Sequence, residues 1–361
     1  MTDAHLVPAA PTAATQSASQ TTADRSPLVT GTRRYLLAAR ADSTRRAYAN
    51  DWVHFTDWCT SQQDDKGEPL GYLPAAPETV AIYLAEHAET LKVATLIRRC
   101  SAVSAVHQAA GHPSPTTSPL VRTTLAGIRR VHGISPAAKD PLLAHQVRRL
   151  LDALPTETGK ALLAARDRAL LVLGFYGALR RSELVALDTT DVEVNDQGLV
   201  VTLRRSKTDQ DAAGRRIAML HTGAADSCPV EVYQAWLAAL DAALAGQHPL
   251  TGGDHRHLEH DGQQRTPVFR PVNRHGQPAG SRLTDKAVAR VVQRTALRAG
   301  LGDLDVAGHS LRAGFATSAA AAGKSERAIM KQTGHKSLPM VRRYIREGSL
   351  FRDNATEGLT L

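Results

Sequence analysis

Between residues 43 and 347, apolar side chains recur at helical spacing, and only 199–203 and 215–220 alternate as strands do. The pattern predicts a mainly α protein with a small β-hairpin or sheet. Tyr48, Trp52, Phe55 and Cys59 form one helical stripe, with Asp42 or Ser43 available as its cap. Ala76-Pro77-Glu78 opens a second helix, to about Leu91, with proline in the first turn and an acid on the positive dipole end. A third is expected over 94–110, stopped by Gly111, and a fourth over 118–132, stopped by Gly133. Residues 27–133 therefore read as a bundle of four or five helices.

The flanking segments divide the 361-residue chain further. Residues 1–26 are rich in Ala, Thr, Ser and Pro, too poor in large apolar groups to offset ordering entropy, and read as a disordered tail. Residues 134–142 carry two prolines without apolar periodicity and read as a linker. Residues 143–348 form a mixed domain, with helices expected near 143–153, 160–175, 181–187, 229–244, 284–299, 309–322, 325–333 and 338–347. A polar loop is expected over 246–265. The segment 349–361 offers Leu350, Phe351, Leu359 and Leu361 as an apolar anchor.

The formal charge of +9 fits a polyanionic partner, or simply a protein of high pI. No apolar run is long enough to span a membrane. Cys59, Cys100 and Cys228 are too scattered for a cysteine-built zinc site or a disulfide framework, which fits a reducing cytoplasm. The N-terminus lacks the pattern of a secretory signal. Gly323-Lys324-Ser325 resembles the end of a phosphate loop, but position 318 is Ser where that loop needs Gly, and the preceding stretch is helical. His255, His257, Glu259 and His260 cluster in the polar loop, where fixed metal geometry is not expected. No metal site is assigned.

Five groups in the second domain carry chemistry: Arg180 with Glu183, Lys207 in the Ser206–Asp209 turn, His309-x-x-Arg312, Gly334-His335, and Tyr344. Singly, each has an ordinary explanation: a surface ion pair, a solvated lysine, a polar helix face, a packed tyrosine. In this order the set resembles the tyrosine recombinase (phage integrase) family. The resemblance covers about 30–350 and is nearest to the Cre-like subgroup, although Cre has Trp where this chain has His335. The family's usual Gly two residues before its first arginine is Ala178 here, a departure expected to alter only a local turn.

The resemblance implies an N-terminal helical core-binding (SAM-like) domain followed by a mixed α/β catalytic domain. It further implies a site-specific DNA recombinase that needs neither metal nor ATP and no other cofactor. Tyr344 would attack a phosphodiester, leaving a 3′-phosphotyrosine and a free 5′ hydroxyl. Arg180 and Arg312 would fork donors onto the phosphate oxygens. Lys207 would protonate the leaving oxygen, His309 would accept a proton or orient the phosphate, and His335 with Arg312 would add positive field. Glu183 would hold Arg180. For the first domain, Arg45, Arg46, Lys92, Thr95, Arg98, Arg99, Arg129 and Arg130 are expected on outer faces as DNA contacts. The 94–110 helix would enter the groove and Arg98 would read bases.

Implied partners are double-stranded DNA with an inverted-repeat recombination site and three further copies, as a tetramer on two sites, with 349–361 docking on a neighbour. The expected place is the bacterial cytoplasm, at the nucleoid. Two alternatives stay open: a non-catalytic DNA-binding protein on the same fold, and a type IB topoisomerase-like enzyme.

Overall fold

The computed structural model describes residues 41–133, 139–204, 214–246, 258–260, 263–335 and 337–348. The chain divides into two compact units, Met1–Ala137 and Ala138–Leu361.

The described part of the first unit holds four α-helices: α1 (Asp42–Ser61), α2 (Pro77–Glu86), α3 (Val93–Ala109) and α4 (Pro119–His132). Helix α1 has Ala41, rather than Asp42 or Ser43, at its N-cap. Helix α2 carries Pro77 in its first turn with Glu78 beside it, and ends at Glu86, short of Leu91. Ser118 caps α4 by accepting the Leu120 N–H. The stripe on α1 is buried at Trp52, Phe55 and Cys59, as helical periodicity requires. The rings of Phe55 and Trp58 meet Tyr83 edge-on, each at 5.1 Å.

A polar knot inside this bundle changes the reading of α3. Arg98 places Nε and Nη2 on the two carboxylate oxygens of buried Asp51, at 2.7 and 2.9 Å. Arg99 points inward: it is 7% exposed, donates from Nη1 to the Tyr83 hydroxyl at 2.6 Å, and has Nε 3.8 Å from Asp51. The expectation that Arg99 lies on an outer face is therefore corrected. Position 99 follows Leu96 by three and precedes Val103 by four, so it sits on the buried stripe of α3. Arg45, Arg46, Lys92, Arg129 and Arg130 are exposed, Thr95 is half-buried, and the Arg98 side chain is 48% exposed.

The second unit is built around α6 (Ala161–Tyr176), whose residues Ala169–Phe175 are all buried. Helix α5 (Ala144–Asp152) precedes it and α7 (Arg181–Ala186) follows. The sequence predicts a single hairpin here, but a further strand pairs with it. Strands β1 (Val192–Asn195), β2 (Gly198–Leu203) and β3 (Arg215–Leu220) form an antiparallel sheet in that order. Short, exposed β1 lacks the apolar alternation that marks the other two. Leu199, Val201 and Leu203 of β2 face the core together with Ile217 and Met219 of β3.

Helix α8 (Pro229–Ala245) packs against α6. Within the stretch read as a polar loop, β4 (Leu258–His260) and β5 (Gln263–Arg265) pair antiparallel. That corrects the loop assignment for these residues, while His255 and His257 lie outside the described residues. Among the described residues, no group of three His, Cys, Asp or Glu is placed to hold a metal, and no helix is long and apolar enough to cross a membrane.

Helices α9 (Asp285–Arg298), α10 (Gly308–Ala321), α11 (Glu326–Thr333) and α12 (Leu338–Gly348) complete the unit. Helix α10 lies against the 139–143 segment so closely that a Cβ on Gly314 would sit 1.7 Å from the Leu142 carbonyl oxygen. Gly323-Lys324-Ser325 is the turn between α10 and α11, and Ser325 caps α11 by accepting the Ala328 N–H. Helix α12 packs on α10 and α11 through Val341 and Tyr344.

Buried Asp51 serves two arginines, so its loss strands the more buried one. Asp51→Ala should cost about 3–5 kcal/mol, and Arg98→Ala, at a half-exposed pair, about 1 kcal/mol or less. Urea unfolding followed by tryptophan fluorescence checks this, since all of Trp52, Trp58 and Trp236 are buried; equal losses would refute the ranking.

Candidate active site

Arg180 is the N-cap residue of α7. The buried Glu183 carboxylate accepts the Arg180 backbone N–H at 2.9 Å and its Nη1 at 2.5 Å. One side chain thus closes the helix N-terminus and fixes the guanidinium. Arg312 lies in the second turn of α10 and is 1% exposed. Its Nη1 donates to the Ala178 carbonyl at 2.7 Å, while Nε and Nη2 are buried with no hydrogen-bond partner among the described residues. Burial, and then Arg180, push its pKa down to about 10, so it stays charged at neutral pH. A buried cation with unused donors is costly unless an anion completes it.

The turn that accepts from Arg312 is itself constrained. Ala178 is buried with φ +47°, in the left-handed region. An alanine there costs roughly 1–2 kcal/mol relative to right-handed backbone. The departure from glycine at this position thus adds strain to the turn whose carbonyl holds Arg312.

Tyr344 is 8% exposed, and its hydroxyl lies 3.4 Å from Nε2 of His309, the second residue of α10. The Tyr344 ring lies 5.8 Å from that of His335, at an interplanar angle of 33°. His335 Nδ1 is 2.8 Å from the Thr333 hydroxyl, which gives its own proton to the Ile329 carbonyl at 2.7 Å. The hydroxyl must then accept, which places the proton of neutral His335 on Nδ1 and leaves Nε2 as an acceptor. Burial, followed by Arg312 and Arg180, pushes the His335 pKa down to about 3. His335 is thus neutral at pH 7 and adds no positive field, contrary to the sequence expectation. A cation there would be desolvated and repelled by its neighbours.

The fold therefore brings together Arg180, Glu183, His309, Arg312, His335 and Tyr344. Lys207 lies outside the described residues. The structure adds one residue that the sequence reading missed. Arg215, first in β3, acts electrostatically on both Arg312 and His335, and donates from Nη1 to the carbonyls of Gln332 (2.8 Å) and Lys331 (3.2 Å). Its signal was in the alternation: Arg215 shares parity with buried Ile217 and Met219, an arginine on the inward face of a strand.

Residues 141–349, more than half of the chain, match the family model described as Phage integrase family. The chain belongs to that family. An integrase/recombinase XerD homolog from Selenomonas ruminantium is 38% identical over 326 residues, 90% of this chain and 87% of the relative. A tyrosine recombinase from Synechococcus elongatus is 27% identical over 331 residues, 89% of each chain. Among solved structures, the Tn1549 transposon integrase in complex with transposon right end DNA superposes with a TM-score of 0.56 at 16% identity, covering 87% of this integrase-family chain and 92% of that one. These three carry recombinase or integrase names, and none of them carries the name Cre.

The His335 environment has a pH signature. Its folded-state pKa lies below the unfolded value near 6.5, so the group favours folding fully only above that value. The contribution falls as pH drops below about 6.5 and is exhausted near 3. Melting temperatures of wild type and His335→Asn from pH 7 to 3.5 should therefore converge on acidification; a constant gap would refute the assignment.

Proposed function

We propose that this chain is a site-specific DNA recombinase in which Tyr344 attacks the scissile phosphate, forming a 3′-phosphotyrosine and releasing a 5′ hydroxyl. The observation that carries the reading is the buried Arg312 guanidinium, with two donors unused, in one cluster with Arg180 and the Tyr344 phenol. A phosphodiester supplies the missing anion. Attack places a further negative charge on its oxygens, and donors already aimed there are typically worth about 10²–10³ in rate each. Glu183 keeps Arg180 in place without reorganisation during the step.

The phenol must lose its proton as it attacks. His309 Nε2, 3.4 Å away, accepts when the ring carries its proton on Nδ1, and the Nε2 of neutral His335 is a second acceptor within the cluster. The leaving 5′ oxygen needs a proton in return, and Lys207 is the residue proposed to give it. Bond energy is kept in the phosphotyrosine, so a 5′ hydroxyl from another strand can reverse the attack.

The exposed Arg45, Arg46, Lys92, Arg129 and Arg130, with the half-exposed Arg98, support a DNA-binding role for the first unit. Nε and Nη2 of Arg98 are already taken by Asp51, which leaves its Nη1 edge for a base. Arg99 and Asp51 serve as its support rather than as contacts. A pair of inverted repeats bound by a tetramer, with 349–361 docking between subunits at the bacterial nucleoid, completes the proposal.

Wild type incubated with duplex DNA should give an SDS-resistant protein–DNA adduct, and Tyr344→Phe none, with duplex affinity retained. An adduct from the Phe variant would refute the nucleophile, and relaxation of any plasmid regardless of sequence would favour a topoisomerase. Lys207→Ala should slow cleavage by about 10²–10⁴. A substrate with sulfur in place of the 5′ bridging oxygen, whose thiolate leaves without a proton, should restore the rate. Equal slowing on both substrates would remove Lys207 from the role.

A further inference from the structure

Three guanidinium groups, not two, act on His335, and the third has a mechanical position the others lack. Arg215 opens β3, directly after the stretch 205–213 that contains Lys207. From there it reaches the end of α11, where Nη1 serves the Lys331 and Gln332 carbonyls, orphan acceptors of the last helical turn. Gly334 then turns the chain at φ +66° toward His335. A Cβ on Gly334 would sit 2.7 Å from the Arg215 Cζ, so the guanidinium lies flat against this turn. Gln332 completes the clasp from the other side: its amide donates to the Ala218 carbonyl of β3 at 3.0 Å and to the Tyr176 carbonyl at 2.7 Å. The Nη2 of Arg215 is buried with no hydrogen-bond partner among the described residues.

We propose that Arg215 is a positioning residue for phosphoryl transfer, clamping the Gly334–His335 turn to β3 so that His335 is held against the Tyr344 ring. The proposal rests on the strand-transfer reading above. Arg215, Arg180 and Arg312 outnumber Glu183, the carboxylate among the charged groups acting on this cluster. The spare Nη2 is thus buried in the same excess of positive charge as Arg312. The charged and titratable groups that face His335 are Arg312, Arg180, His309, Arg215 and the Tyr344 phenol, so loss of Arg215 removes both a tether and one repelling charge.

The test uses the full chain as wild type, Arg215→Gln and Arg215→Lys, the last keeping the charge but losing the planar fork. The DNA probe is a labelled duplex pool enriched from random sequence by wild-type binding. Expected are folded variants by circular dichroism, pool affinity within about threefold of wild type, and adduct formation slowed about 10²-fold in Arg215→Gln, with Arg215→Lys between. In Arg215→Gln the NMR titration midpoint of His335 should rise from about 3 by a small step, since burial, Arg312, Arg180 and His309 all act on it more strongly. Wild-type adduct rates in both variants, or a His335 midpoint that does not move, would overturn the inference. Should the Gln variant not fold, the Lys variant decides by adduct rate. Absence of any adduct with wild type would instead overturn the strand-transfer reading, and a displaced His335 ring resonance in Arg215→Lys, which keeps the charge, would still decide whether the clamp exists.

Discussion

Excess buried guanidinium charge around His335 is the constraint on which the second unit depends. Arg312 is 1% exposed, and among the described residues the carboxylate acting on it is Glu183, already bonded to Arg180. Such charge survives in a folded protein only where the scaffold around it is firm. Here α6, α7, α10 and the sheet supply that scaffold. The strained carbonyl of Ala178 and the Glu183 carboxylate fix the two guanidiniums before any ligand arrives. In the proposed reaction, folding stability given up at this site returns as phosphate affinity and as stabilisation of charge during attack.

The same electropositive setting decides protonation around it. His335 is held neutral by burial and by its arginine neighbours, and Thr333 fixes which nitrogen bears the proton. A residue expected to act as a cation thus becomes an acceptor. When an anion enters, the repulsion that depresses His335 weakens, and its basicity rises as the phenol must be deprotonated. The first unit shows the contrasting use of arginine. Arg99 is sunk against Tyr83 and Asp51 to join helices, while Arg98 shares the same carboxylate and keeps one edge outward.

Linear order made the chemistry legible. Arg180, His309, Arg312, His335 and Tyr344 follow one another in the family's sequence, with Glu183 one helical turn beyond Arg180. The helices followed from period and punctuation: Pro77, Gly111, Ser118 and Gly133 marked their ends. What escaped was structure without a periodic signature. The short β1 is too exposed to alternate, and Arg215 was hidden because an arginine beside an arginine reads as surface charge until strand parity is applied.

Pattern along the chain was enough for the helical framework and for the residue types proposed to break and rejoin a phosphodiester, because local periodicity and motif spacing need no long-range contact. Only the tertiary structure decided which arginines face inward, that His335 is neutral, that Ala178 is left-handed and that Arg215 ties β3 to the turn before His335. Those properties arise from burial and from charges distant in the chain, and neither is written in the spacing of neighbours along it.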